Sequence, residues 1–244
     1  MFYEFKKELR EGIIVDRPNR FIMEIMIDGK RQKAHCPSTG RIGNFDFKNT
    51  PCLVSESDNK TRKTKFTVEA VSSQIPEKKN KKWIGINQGK SNQYVEFFLE
   101  NNFFEKMIKN GGEVKREKKL GNSRIDFQIQ NNFIEVKTFV GNIPYGNRKP
   151  AVENQKSLDR LIKHFTDLAQ FAKEKKGKAI VLICNQYSAK EFTPPDNSEG
   201  AEISETVKKS IEDGVENWQV NLKINEKGVE FLDYFKLDLF GDKK

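Results

Sequence analysis

Short apolar or alternating runs, each closed by turn residues, fill the first third of the chain. Gly12–Asp16, Phe21–Asp28, Lys30–His35, Pro51–Glu56 and Phe66–Ile75 read as β-strands, and Asp28-Gly29 is a hairpin signal between two of them. The polar run Pro76–Lys82 reads as a linker or exposed turn. From Trp83 the pattern becomes mixed. Ser91–Asn110 carries Tyr94, Val95, Phe97, Phe98, Phe103, Phe104, Met107 and Ile108 at helical spacing and runs into Gly111-Gly112, which predicts a helix closed by glycine. Glu113–Lys119, Arg124–Gln130 and Phe133–Phe139 read as strands, and Val152–Lys175 as a long amphipathic helix. Lys178–Asn185 is a nearly continuous apolar run, the pattern of a strand buried on both faces. Glu202–Gly214 reads as a further helix, with strands at Trp218–Asn225 and Val229–Leu232.

These elements predict two domains of mixed class, α+β and α/β. Residues 1–82, with about five short strands, are compatible with an OB-like β-barrel, which periodicity alone does not distinguish from another small barrel. Residues 83–244 alternate helix and strand as an α/β sandwich does. No internal repeat is visible, and no run of about 18 apolar residues would span a membrane. The N-terminal Met-Phe-Tyr-Glu-Phe-Lys-Lys lacks the apolar core of a secretory signal. Cys36, Cys52 and Cys184 are odd in number and far apart, which suits reduced cytoplasmic thiols better than a disulfide framework or a zinc site.

Charge sharpens the division. Residues 1–82 hold 18 Lys or Arg against 11 Asp or Glu, while residues 83–244 hold 26 against 24. A basic N-terminal part suits a polyanion, because cations that neutralise phosphates release condensed counterions; a Lys-rich solubilising surface is the plainer alternative. Basic and small polar residues gather in the loops between the short strands: Arg17 and Arg20, then His35, Ser38, Thr39 and Arg41, then Arg62 and Lys63. Phe21 and Phe66 have the chemistry to stack on bases, although aromatic residues of a small barrel more often fill its core.

The candidate chemistry lies in residues 124–137. Asp126 stands on one predicted strand, and Glu135 and Lys137 stand on the next, their side chains on one face by alternation. Two hard carboxylates suit Mg²⁺ or Mn²⁺, and an adjacent ammonium suits a phosphate or an attacking water. The order of a helix with acids, a hairpin carrying D…E-x-K and a long helix resembles the PD-(D/E)xK nuclease core. Edge-strand charges in a surface salt bridge would give the same letters. Glu96 and Glu100, four apart on the preceding helix, are the candidates for a third acid; a solvated helix face is the alternative. Gln155 and Lys156 open the following helix and stand as candidate phosphate contacts. His164 reads as an ordinary, partly buried helix residue rather than a general base, and two histidines in all offer no nucleophilic triad.

Taken together, these segments resemble the sugar fermentation stimulation protein A (SfsA) family. The likeness runs through Arg17-x-x-Arg20-Phe21, His35-Cys36-Pro37-Ser38-Thr39-Gly40, Ser57-Asp58-Asn59 with Arg62-Lys63, and Ile84-Gly85-Ile86-Asn87 with Asn92. It continues through Ser123-Arg124-Ile125-Asp126-Phe127 and Glu135-Val136-Lys137-Thr138. The resemblance implies an OB-like domain followed by a PD-(D/E)xK-type domain, DNA binding in which Arg124 joins the basic loops, and metal-dependent DNA or RNA cleavage. DNA is the first expectation for the partner and RNA the second, with a homodimer left open. A non-catalytic DNA-binding regulator of sugar metabolism genes is the alternative. The chain departs from the family pattern at Ser38, where Asn is usual, through Tyr145–Asn154, and at Ser157, where His is usual. The family's helix acid falls near Phe97, between Glu96 and Glu100.

Overall fold

Two sheets organise the chain in the computed structural model, which describes residues 1–38, 40–109, 112–143, 155–193 and 201–240. The first sheet contains β2 (Arg10–Asn19), β3 (Ile22–Ile27), β4 (Lys30–His35), β5 (Thr50–Glu56), β6 (Phe66–Val71) and β7 (Ile84–Gly85). Its strands run in the order β4-β3-β2-β5-β6-β7, and a parallel pairing of β4 with β6 closes five of them into a barrel. Closure removes the open edges that a five-stranded sheet would otherwise expose. Alternating inward residues such as Ile14, Met23, Ile25, Val54 and Val68 fill the interior. The barrel is an OB fold.

The second sheet has seven strands. After α1 (Gln88–Glu100) come β8 (Lys115–Leu120), β9 (Ser123–Ile129) and β10 (Asn132–Lys137), then α2 (Gln155–Lys173), β11 (Ala179–Asn185), α3 (Ala201–Glu212), β12 (Glu216–Ile224) and β13 (Gly228–Lys236). β8, β9 and β10 form an antiparallel meander, whereas β10–β11 and β11–β12 pair in parallel, as the helical crossovers require. Helix, three strands, helix, strand is the expected PD-(D/E)xK order. One face of the sheet packs on α1 through Tyr94, Val95 and Phe98, and the other on α2 through Phe165, Leu168 and Ala172. Every residue of β11 is buried. Each of its Ile, Val and Leu side chains contributes roughly 1.5–3 kcal/mol by leaving water, which makes this strand the anchor of the sheet.

Several boundaries differ from the sequence expectations. A first strand, β1 (Phe2–Glu4), pairs antiparallel with β13 in the second sheet and takes no part in the barrel. Three residues are too few for a readable alternation. β7 extends the barrel sheet past Lys82, since Ile84 and Gly85 pair with β6. Helix α1 stops at Glu100, well short of the glycine pair: Asn101 Nδ2 bonds back to Phe97 O (2.7 Å) and Asn102 turns left-handed, with φ of 66°. Phe104, Met107 and Ile108 keep their helical spacing but reach the core from turns. β6 ends at Val71 rather than Ile75, and β13 runs on to Lys236. Among the described residues no helix is long and apolar enough to cross a membrane.

Candidate active site

The hairpin of β9 and β10 turns through Gln130-Asn131, with Gln130 at a φ of 53°. Its ladder holds at Asn132–Ile129, Phe133–Gln128 and Ile134–Phe127 and goes no further. Beyond that pair, carboxylates replace backbone acceptors. Val136 N–H donates to Asp126 Oδ2 (2.8 Å), and Asp126 N–H points at Glu135 Oε2 (3.4 Å). The strands part where Asp126 and Glu135 stand, and backbone donors freed by the opening are satisfied by the acids themselves.

Each carboxylate is also held from a helix. Asn92 of α1 donates Nδ2 to Asp126 Oδ1 (2.7 Å). Glu135 Oε1 lies 2.7 Å from Lys137 Nζ and 2.5 Å from His164 Nδ1 of α2. An ionised carboxylate can only accept, so this separation puts the imidazole proton on Nδ1. Lys137 Nζ lies 3.4 Å from the same nitrogen. Glu135 and His164 are buried, and Lys137 is nearly so.

Electrostatics divides the two acids. Burial, then the charge on Glu135, pushes Asp126 up to about 6. Burial also pulls Glu135 upward, but the His164 hydrogen bond and the Lys137 ammonium outweigh it and hold the group below the ordinary glutamate value. The result is a fixed anion beside an acid that resists ionisation. Two hard carboxylates side by side are the donor type that a divalent cation such as Mg²⁺ or Mn²⁺ takes, and such a charge would relieve that resistance. Among the described residues no group of three or more His, Cys, Asp or Glu is placed to hold a metal.

The third-acid candidates stand elsewhere. Glu96 pairs with Arg116 Nη1 of β8 at 3.2 Å, and Glu100 is exposed at the end of α1. The α1 residue that reaches Asp126 is Asn92, one turn before Glu96. His164 is the other surprise, since it belongs to the site rather than to an ordinary helix face. A polar residue on the core-facing stripe of α2, between Leu161 and Phe165, was the available signal.

Two family models cover most of the chain: the SfsA N-terminal OB domain matches residues 15–86, and the sugar fermentation stimulation protein RE domain matches residues 89–228. The chain belongs to the SfsA family. Among its relatives, the sugar fermentation stimulation protein homolog of Clostridium botulinum is 29% identical over 247 residues, covering 98% of this chain and 100% of the relative. That of Clostridium perfringens is 26% identical over 241 residues, covering 97% and 100%. The structure of Pyrococcus furiosus SfsA in complex with Ca²⁺ superposes with a TM-score of 0.75 at 19% identity, covering 98% of this chain and 99% of that one.

In this SfsA-family chain the basic loop residues take unequal roles. Arg17 Nη2 donates to three carbonyls, Ser38 O (2.8 Å), Gly40 O (3.1 Å) and Arg20 O (3.2 Å), while its guanidinium lies over the Phe47 ring. It holds the loop after β4 in shape. Arg41 is similarly engaged, by Gly43 O and Asn44 Oδ1. Arg20 and Phe21 are exposed, with the guanidinium 4.7 Å from the ring centre, whereas Phe66 is buried in the barrel. Arg62 donates to Thr67 Oγ1 (3.2 Å), Lys63 is exposed, and His35 lies half-buried on β4. Arg124 is exposed on β9, 3.9 Å from Glu117. Thr39 and the side chains of Gln155 and Lys156 lie outside the described residues.

A buried polar chain links barrel and sheet. Glu69 of β6 accepts from Ser55 Oγ and from Asn87 Nδ2 (2.7 Å). Gln186 Nε2 donates to Asn87 O (2.8 Å) and to Ser91 Oγ (2.9 Å), and Ser91 also accepts from Thr138 Oγ1 (2.8 Å). Ser38 Oγ donates to Ile86 O, and Gln88 Nε2 reaches Thr138 O (2.7 Å). Thr138 follows Lys137, so this junction fixes the end of the strand that carries the site.

Proposed function

We propose that this protein is a metal-dependent nuclease that hydrolyses phosphodiester bonds in DNA or RNA, its barrel serving as an attached nucleic-acid-binding module. The carrying observation is the parting of β9 and β10 around Asp126 and Glu135, with the Lys137 ammonium on Glu135. A surface salt bridge would leave the ladder closed and the acids wet. Here Glu135 is buried and Asp126 half-buried, and burial, then the charge on Glu135, pushes Asp126 up to about 6.

Asp126 and Glu135 would hold Mg²⁺ or Mn²⁺; the Ca²⁺ of the Pyrococcus furiosus complex is a cation of the same hard class. Bound there, such a cation supplies Lewis-acid polarisation of a phosphate and acidification of water. Lys137 places positive charge beside the carboxylates, where negative charge grows on the phosphate in the transition state. His164 holds Glu135 by its Nδ1–H, and Asn92 holds Asp126, so each acid has a fixed rotamer before substrate arrives. The three cysteines are buried without a disulfide, which suits a reducing cytoplasm.

The test is cleavage of a panel of single- and double-stranded DNA and RNA with Mg²⁺ or Mn²⁺. Wild-type protein should cut at least one substrate, and Asp126→Ala and Glu135→Ala should lower the rate by orders of magnitude. Equal cleavage by both variants would remove the assigned site. Asn92 in the place expected for a carboxylate favours a second reading, a DNA-binding regulator without cleavage, which the same panel separates.

A further inference from the structure

The opening of the β9–β10 ladder has a second result. β8 and β9 remain paired from Lys115–Gln128 as far as Leu120–Ser123, whereas β9 pairs with β10 only through Phe127, Ile129 and the residue between them. Residues 118–125 therefore leave the sheet as a two-stranded ribbon, and Asp126 stands at the point of departure.

One side of this ribbon is committed to packing. Ile125 is buried in the α2-side core, Leu120 packs against it, and the ribbon's turn at Gly121 lies against Asp167 of α2. Other positions are cationic. Lys119 pairs across the ribbon with Arg124 on the free side, whereas Lys118 stands opposite Ile125 on the packed side. Lys119 and Arg124 are exposed. Neither Lys118 nor Lys119 has an acid partner among the described residues, and Arg124 has only Glu117 at 3.9 Å. Nearer the sheet, Lys115 and Arg116 of β8 are paired with Glu113 (3.6 Å) and Glu96 (3.2 Å), so the free charge lies toward the ribbon's tip. Edge strands commonly carry lysine to prevent sheet-to-sheet association. That role requires one or two charges, and it does not require a concentration at the strand that bears an active-site acid.

We infer that the β8–β9 ribbon is a phosphate-backbone contact of the nuclease domain itself, which carries nucleic acid past Asp126 independently of the barrel. The inference rests on the nuclease reading for its substrate class. The ligand is the sugar–phosphate backbone, because the ribbon offers cations and no exposed aromatic ring or amide array for reading bases. Arg124 lies two residues from Asp126, about 7 Å along an extended strand. That is roughly the distance between neighbouring phosphates, so a backbone held by Arg124 and Lys119 would present its next phosphodiester to the carboxylates.

Binding can be measured apart from cleavage, by fluorescence anisotropy of a labelled DNA duplex in chelator over a range of salt concentrations. The full-length Lys119→Gln/Arg124→Gln variant should bind about tenfold more weakly near 0.1 M salt, with the salt slope of log K smaller by about 1–2. Lys223→Gln, an exposed change on β12, should leave both unchanged. Thermal melting should match wild type, and Lys119→Arg/Arg124→Lys should bind as wild type does. An unchanged slope in the Gln variant, or an equal loss in Lys223→Gln, would overturn the ribbon as a contact. If wild-type protein binds no duplex DNA, single-stranded DNA or RNA at low salt, the nuclease reading itself falls.

Discussion

His164 Nδ1 lies 2.5 Å from Glu135 Oε1, so a residue of α2 decides the orientation of an acid on β10. The contact is buried on both sides, and a hydrogen bond to a charged group is about twice as strong there as a neutral one. His164→Ala should lower cleavage and metal affinity by roughly 10–100-fold, the usual cost of removing a residue that orients a metal ligand. His164→Asn, whose amide can donate from a similar position, should recover part of the loss. Turnover rates and metal titrations of the three proteins decide it.

Asp126 makes stability depend on pH in a defined direction. Its folded value, near 6, lies above the ordinary 3.8, so the folded chain holds this proton more tightly than the unfolded chain does. The contribution is favourable at low pH and is lost as pH rises through about 6. Glu135 works oppositely: its value is lowered, and its contribution is lost as pH falls through the acidic range. Asp126→Asn removes only the first effect. The melting temperature of this variant relative to wild type should rise between pH 5 and pH 7, by a few degrees in metal-free buffer.

Metal should reverse that order. Because a ligand that binds only the folded state stabilises it by mass action, millimolar Mn²⁺ should raise the melting temperature of wild type at pH 7. Asp126→Ala and Glu135→Ala should show no such rise. Calorimetry with and without chelator measures the difference, and equal shifts in all three proteins would place the cation elsewhere.

Arg17 predicts a structural phenotype. Its guanidinium donates to three loop carbonyls, so Arg17→Ala should cost about 1–3 kcal/mol by denaturant unfolding. Lysine should not restore it, since one ammonium cannot reproduce the planar fork. An Arg17→Ala chain as stable as wild type, but defective in DNA binding, would instead make this side chain a direct phosphate contact.

The barrel–sheet junction tolerates little added volume at Gly85. A Cβ there would overlap the buried Gln186 side chain at its Cβ as well as its Oε1, while Gly85 N–H bonds to Gln186 O (3.0 Å). Gly85→Ala should destabilise the protein by roughly 1–3 kcal/mol, the ordinary cost of overpacking. It should also lower cleavage, because Gln186 supports Ser91 and through it Thr138. Denaturation midpoints and turnover rates test the two effects separately.

Local periodicity revealed most of this architecture. Alternation identified the barrel strands, the D…E-x-K hairpin and the buried run of β11, because each is written in consecutive residues. What escaped was written across the chain. Asn92 carries no local signal for Asp126, and His164 shows only as a polar residue on an apolar helix stripe; the packing of α1 and α2 on opposite faces of the sheet brings them to the acids. The end of α1 at Glu100 is hidden for a related reason, since Phe103, Phe104, Met107 and Ile108 satisfy helical spacing while serving the core from turns. The charge balance drew attention to the N-terminal loops, although Arg17 and Arg41 are bound to backbone there, and the freer cations of β8 are diluted by acids elsewhere in the second domain.

The pairing of β1 with β13 makes the barrel an insertion in the course of the chain rather than a module placed ahead of the seven-stranded sheet. Leu9 N–H bonds to Glu226 O (2.7 Å), and Trp83 Nε1 bonds to Glu226 Oε1 (3.0 Å), so the chain leaves and re-enters at one residue. A fragment beginning at residue 83 would therefore leave β13 with an unpaired edge and Glu226 without its Leu9 anchor. A short bridge from Leu9 to Trp83, by contrast, would excise the barrel and leave the seven-stranded sheet whole.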